Sequence, residues 1–169
     1  LKLSPVSQPV LKRGDGRNIS GPRVLEQKQP GLYTVSWHPV GGQPDLSVLC
    51  ALSDAIQSME GVELRLAPDE TAYVINLTGA EAERVLDITE HNTAKTEFEA
   101  SVSCIGAAVC QVGVRDSQSL LRACVEAVQE AGLPADALPK IHISGCPSSC
   151  GTHQTGVMGF RGAAKKVNG

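Results

Sequence analysis

No apolar run in this sequence approaches the ~18 residues that a membrane-spanning helix requires, so no partner role within a bilayer is expected. A basic excess is missing too: 15 Lys and Arg stand against 18 Asp and Glu, a formal net charge of −3. Nucleic-acid binding usually leaves a basic footprint, and none is expected here. The chain opens at Leu1 without the charged-then-apolar order of a secretion signal. It contains no Gly-rich phosphate loop, no Ser-His-Asp set, no paired carboxylates, no internal repeat and no low-complexity tract. Aromatic residues are scarce, two Tyr, two Phe and one Trp, and six cysteines outnumber them. A chain of ~150 residues buries roughly 70% of its unfolded surface, so these 169 residues can build a core without disulfide staples. Cysteine is therefore the residue type to follow.

Charge divides the chain unevenly. Residues 1–28 hold six basic residues (Lys2, Lys12, Arg13, Arg17, Arg23, Lys28) and two acids, while the remainder holds nine basic and sixteen acidic residues. Pro5, Pro9 and Pro22 with Gly14, Gly16 and Gly21 leave that first segment without periodicity, as in an extended arm or linker. A beginning in mid-linker suggests a piece of a longer chain, and so does the polar, turn-like end at Lys165–Gly169.

Regular patterning begins at Gly31. Tyr33, Val35 and Trp37 alternate, which predicts a strand over Leu32–His38. Asp45 can cap a helix carrying Leu49, Leu52, Ile56 and Met59 on one face, stopped by Gly61. Val62–Leu66 and Tyr73–Leu77 read as strands, Ala80–Ile88 as a helix and Phe98–Ser103 as a strand. The resulting β-α-β-β-α-β order is that of the split βαβ, ferredoxin-like arrangement. A second unit follows: a helix bearing Leu121, Cys124, Val125 and Val128, capped by Asp116 or Ser117, then strands at Ile141–Ile143 and Val157–Phe160.

The cysteines fall into two pairs and two singles. Cys104 and Cys110 enclose five residues, and Cys146 and Cys150 enclose three. Each pair sits just past an expected strand end, so both can face one edge of a sheet. Four converging thiolates match the ligand demand of an iron–sulfur cluster. The small residues around them (Gly106, Ala107, Ala108, Gly145, Ser148, Ser149, Gly151) let backbone approach inorganic sulfide closely. Other fates stay open on spacing alone. Zinc is one, although five intervening residues exceed its usual knuckle; disulfides and buried free thiols are the others. Cys50 and Cys124 fall on apolar helix faces and read as small core residues.

The segments Ser103-Cys-Ile-Gly-Ala-Ala-Val-Cys110 and Ile143-Ser-Gly-Cys-Pro-Ser-Ser-Cys-Gly151 resemble the C-x5-C…G-C-P-N-x-C-G pattern of the sirohaem-dependent sulfite and nitrite reductases. Gln29-Pro-Gly-Leu-Tyr-Thr-Val and the β-α-β-β-α unit look like that family's ferredoxin-like half domain. The resemblance covers about residues 22–166. It implies an α+β chain: an arm over 1–28, a ferredoxin-like half domain over 29–96 and a 4Fe-4S, sirohaem-binding domain over 97–169, cut short at its end.

It further implies a 4Fe-4S cluster on Cys104, Cys110, Cys146 and Cys150, with Cys150 also bridging to the sirohaem iron. Family members carry two such halves, so the partner expected first is a pseudo-symmetric second half of the same parent chain. Ferredoxin or a flavoprotein is the electron donor implied, sulfite or nitrite the substrate, and the cytoplasm the location. The chain would act as an oxidoreductase only as part of the longer protein, and no catalytic residue is assigned to it. The related precorrin synthase of cobalamin biosynthesis and a non-catalytic 4Fe-4S electron-transfer module are the alternative functions. Two departures stand out. Ser148 replaces the family's Asn, which puts a loop hydrogen bond in question. Ala67-Pro-Asp-Glu70 replaces a Thr-x-x-Gln segment after Arg65, itself a candidate cofactor or substrate contact. His153 is expected in a solvent-facing loop, His142 to point outward, and Lys140, Arg161, Lys165 and Lys166 to be candidates for sirohaem carboxylates.

Overall fold

The computed structural model describes residues 12–165. Residues 1–11 of the expected arm and residues 166–169 of the expected turn-like end lie outside the described residues. The chain is α+β and forms two compact units. Among the described residues, one includes residues 12–37, Leu46–Ala67 and Ala72–His91; the other takes His38–Asp45, Pro68–Thr71 and residues 92–165.

The first unit is a four-stranded antiparallel sheet with two helices. Its elements are β1 (Val24–Glu26), β2 (Tyr33–Trp37), α1 (Leu46–Gln57), β3 (Glu63–Leu66), β4 (Ala72–Leu77) and α2 (Gly79–Thr89). The strand order is β1-β2-β4-β3, with Tyr33 opposite Leu77, Trp37 opposite Ala72 and Leu64 opposite Val74. Helix α1 thus joins two strands with a third between them, which is the split βαβ connection. Alternation explains the core: Tyr33, Val35 and Trp37 point to one buried side with Val74 and Leu77, and Leu52, Ala55, Ala82 and Val85 from the helices complete it.

The fourth strand of this sheet is not the one expected. Phe98–Ser103 does not join it; the edge next to β2 is filled by β1, from within the segment that reads as an arm. Three residues between Pro22 and Pro30 are too few to show alternation, so the strand leaves no trace in the pattern. The same segment docks on α2 through its charges. Lys12 pairs with Glu81 at 2.5 Å, Arg23 with Glu90 at 2.9 Å, and Arg17 with Glu83. The Asp15 carboxylate accepts the free N–H groups of Gly79 and Ala80 at the start of α2, which holds its pKa below the ordinary value. Thr78 and Glu81 close a capping box at the same end.

The second unit contains β5 (Val102–Ser103), α3 (Ser117–Glu130), β6 (Ile141–Ser144) and β7 (Met158–Arg161). The three strands are parallel, in the order β5-β6-β7. Helix α3 is the crossover from β5 to β6, and it buries Leu121 and Val125 with Ile141, Ile143 and Phe98. The strand expected over Phe98–Ser103 is shortened to its last two residues. Ala100 N–H turns back to Thr96 O and Ser101 N–H to Phe98 O, so the start of the segment coils and sends Phe98 into the core. The buried Ser101 hydroxyl then takes the Ile141 N–H at 3.0 Å, in place of a ladder bond. Strand β7 is an edge, and all four of its residues are exposed. Among the described residues no helix is long and apolar enough to cross a membrane.

Leu52 is fully buried where α1 meets the sheet. Leu52→Ala is expected to lower unfolding stability by ~2–5 kcal/mol, the usual cost of a deleted core leucine plus its cavity, measured by urea titration.

Candidate functional site

Parallel pairing sets Ser103 opposite Ile143, so the loops leaving β5 and β6 emerge together. Cys104 follows β5 directly, and its N–H donates to Ile143 O at 3.1 Å. Cys146 lies two residues past β6. Each loop then turns back on itself. Gly106 takes φ +70 and its carbonyl accepts the Cys110 N–H at 2.8 Å. A side chain at Gly106 would strike Ser117 at 2.8 Å, so only glycine serves there. In the second loop Ser149 adopts a positive φ of 64 and Gly151 N–H donates to the Ser144 hydroxyl at 3.2 Å.

The four cysteines Cys104, Cys110, Cys146 and Cys150 line one pocket of about 160 Å³, with Gly106, Gly113, Gly145 and Ser148 in its wall. Cys146 is buried, Cys104 and Cys110 are half-buried and Cys150 is exposed; all six cysteines of the chain are free thiols. Around this pocket Ile105, Val109 and Val112 are each more than half exposed, an apolar rim on a short stretch of surface. Among the described residues no three His, Cys, Asp or Glu side chains stand close enough to hold one metal ion. A single zinc ion needs every thiolate within ~2.3 Å of one point. A cluster instead takes its thiolates at separate iron corners.

Hydrogen bonds favour the thiolate form of one cysteine of this pocket. The Ser148 hydroxyl and backbone both hydrogen-bond Cys146 and lower its pKa from the ordinary thiol value. Ser148, the residue standing where the family has Asn, therefore supplies a side-chain hydrogen bond of its own. Cys104 Sγ accepts the Gly145 N–H at 3.1 Å and lies 3.2 Å from the Ser117 hydroxyl. The Ser117 hydroxyl also donates to Cys104 O at 2.7 Å.

Several supports have no signature in the linear sequence. Gln118, buried at the start of α3, donates from Nε2 to Gly41 O (2.9 Å), Ser103 O (3.0 Å) and Cys104 O (3.2 Å). The Glu70 carboxylate accepts the Ser103 N–H at 3.0 Å, leaves its other oxygen buried without a partner, and sits on a backbone with φ 67. His142 meets Thr152 Oγ1 at 2.9 Å and His153 meets Ser144 Oγ at 3.0 Å, so both brace the second cysteine loop. The one prior signal at Glu70 is its place in the segment that departs from the Thr-x-x-Gln pattern.

Other candidates fall elsewhere. Arg65 is exposed on β3 and donates to the Glu63 carboxylate at 3.0 Å. Cys124 packs beside the second core as expected, but Cys50 is exposed on α1 because the buried stripe of that helix runs through Leu52 and Ala55. Arg161 borders a separate cavity of about 410 Å³ together with Arg115, Leu120 and Phe160; Gly145 lies in the walls of both cavities.

With this geometry in place, comparison with known proteins is informative. No family model matches the chain. The ferredoxin–nitrite reductase of Synechococcus elongatus is 29% identical over 168 residues, which cover 95% of this chain and 32% of that protein. The chain is thus similar to a part of proteins named as nitrite and sulfite reductases. The chloroplastic ferredoxin–nitrite reductase of Spinacia oleracea is 28% identical over 171 residues, 96% of this chain and 28% of that one. The sulfite reductase [NADPH] hemoprotein beta-component of Bacillus licheniformis is 25% identical over 114 residues, covering 60% of this chain and 19% of that protein. The structure of Mycobacterium tuberculosis NirA protein superposes with a TM-score of 0.66 at 21% identity, covering 97% of this chain and 30% of that one, and so shares its fold. The chain spans about a third of the length of the first curated relative it matches.

Glu70 gives the site region a pH dependence. Burial, with the Asp69 carboxylate beside it, pushes its pKa from 4.5 to about 7 against the opposing Ser103 N–H. Between those values the folded chain holds a proton that the unfolded chain has released, so stability falls as pH rises through the window and the loss is complete above it. Glu70→Gln is expected to flatten this dependence, leaving the variant the more stable of the two at pH 8 and the difference smaller at pH 5, by urea midpoint.

Proposed function

We propose that this chain is the iron–sulfur portion of a sulfite- or nitrite-reducing enzyme, with Cys104, Cys110, Cys146 and Cys150 as ligands of a 4Fe-4S cluster. The convergence of four free thiols on one pocket carries the reading. The donor set fits the group: four sulfurs, glycine walls that admit bulky sulfide, and hydrogen-bond donors already directed at Cys104 and Cys146. When bound, the cluster would supply one-electron transfer, and the sirohaem implied by the family resemblance would supply the centre at which the oxyanion is reduced.

The residues themselves have separable tasks. Gly106 and Gly145 keep the pocket walls free of side chains. Ser148 favours the thiolate form of Cys146, and the Gly145 N–H donates to the Cys104 sulfur. Cys150, the exposed thiol, is the ligand best placed to meet a second group, as a bridge to the sirohaem iron requires. Arg115 and Arg161 have no ion-pair partner among the described residues, and their cavity suits the carboxylates of a large polyanionic cofactor. Arg65, exposed on β3, would be free to contact cofactor or substrate, as the resemblance implies. Residues 29–96 would serve as the ferredoxin-like half domain and 97–169 as the cluster domain. Ferredoxin, which the names of several relatives carry, is the donor class proposed, a flavoprotein the other, and the cytoplasm the location. The exposed apolar rim of Ile105, Val109 and Val112 suits a covering surface from the second half of a longer parent chain.

Anaerobic reconstitution with iron and sulfide is expected to load about four of each per chain, and Cys146→Ala to lower the content to well below half, by colorimetric iron and acid-labile sulfide assays. Stoichiometric zinc with no labile sulfide would sink the assignment.

A further inference from the structure

The contacts of Cys104 contain a surplus that ligation alone does not explain. Its sulfur has two neighbours able to donate, the Gly145 N–H at 3.1 Å and the Ser117 hydroxyl at 3.2 Å. Its carbonyl also has two, the Ser117 hydroxyl at 2.7 Å and Gln118 Nε2 at 3.2 Å. Ser117 is 1% exposed, so no solvent competes for its hydroxyl. A serine hydroxyl has one hydrogen, and so it serves only one acceptor at a time.

Proton counting decides which. While Cys104 is a thiol, its own S–H can point at Ser117 Oγ, and the serine hydrogen satisfies the Cys104 carbonyl. A metal-bound thiolate has no hydrogen and only accepts. The serine hydroxyl is then drawn to sulfur, because a charge-assisted bond is stronger than a neutral one. Its departure leaves the part-buried carbonyl within reach of the Gln118 amide at 3.2 Å, one of three carbonyls that share that group's two hydrogens. Gly106, with φ +70 and no room for a side chain against Ser117, leaves the hydroxyl its space.

We propose that Ser117 is a switchable outer-shell donor to Cys104 which, together with the Gly145 N–H, raises the reduction potential of the cluster. This rests on the cluster assignment above. Reduction adds one electron and negative charge to the iron–sulfur core; hydrogen bonds to its sulfurs stabilise that reduced form more than the oxidised one, and so raise the potential. The electron comes from a chemical reductant such as dithionite, and no proton is transferred: the serine hydrogen changes acceptor and stays on its oxygen. Ser117 is a positioning residue, acting through its ligand, and Gln118 is what makes the change of acceptor tolerable.

The test is an EPR-monitored redox titration of the anaerobically reconstituted chain, run as wild type, Ser117→Ala and Ser117→Thr, with thermal melts in parallel. Ser117→Ala is expected to shift the midpoint to a more negative potential, and Ser117→Thr, which keeps the hydroxyl, to stay nearer wild type. A loss of packing alone would move the melts and not the potential. A loaded alanine variant with the wild-type midpoint overturns the proposal. Should that variant fail to load, the reduced wild type decides, by pulsed ENDOR in H2O and D2O. An exchangeable proton coupling beyond the one owed to the Gly145 N–H is expected, and its absence overturns the proposal. Wild type that takes up neither iron nor sulfide overturns the cluster assignment and this inference with it, whereas loading with unshifted potentials removes this inference alone.

Discussion

The pairing of β5 with β6 is the constraint on which the site depends. Two ladder residues on β5 are enough to set Cys104 beside Gly145, because a parallel register aligns the ends of both strands and the loops must leave in the same direction. Such a short strand would not hold its place unaided. Its missing ladder bonds are replaced from outside the sheet: Glu70 takes the Ser103 N–H, Ser101 takes the Ile141 N–H, and Gln118 collects the Ser103 and Cys104 carbonyls. Each replacement is a buried polar pairing, where loss of one partner costs ~1–3 kcal/mol and leaves an unsatisfied group behind.

Seen this way, the cysteine loops are held by their backbones, and the sulfurs are left free to meet a ligand. Local turns formed by Gly106, Ser149 and Gly151 shape the loops, while α3 supplies the fixed side chains behind them. The first turn of α3 faces Cys104, whereas Leu121 and Val125 farther along anchor the helix in the second core. Core packing and the cysteine pocket are thereby linked through one helix.

Much of this could be read from the sequence wherever the signal is local. Alternation at Tyr33, Val35 and Trp37 marked β2, and the spacing of the four cysteines marked the pocket. What escaped is what depends on distance along the chain. Strand β1 has three residues and no period, so it passed for linker, although its basic neighbours already matched the acidic face of α2 in charge. Gln118 and Gly41 are 77 residues apart, and Glu70 and Ser103 are 33 apart. Neither pair leaves any pattern in a local window. Cys50 misled for a related reason: an apolar helical stripe can be drawn through it, but the buried side of α1 runs through Leu52 and Ala55, and Leu52, two residues on, lies about half a turn round the helix from it.

Strand β7 closes the second sheet with an open side. Met158 and Phe160 stand exposed on it, and among the described residues no strand pairs with its outer side in the order β5-β6-β7. Folded proteins ordinarily guard such an edge with charge, a bulge or a covering segment, and here Arg161 is the one charged residue in the strand. The sheet is therefore geometrically unfinished: any extended segment, whether of this chain, another copy or an unrelated peptide, finds there a template to continue it.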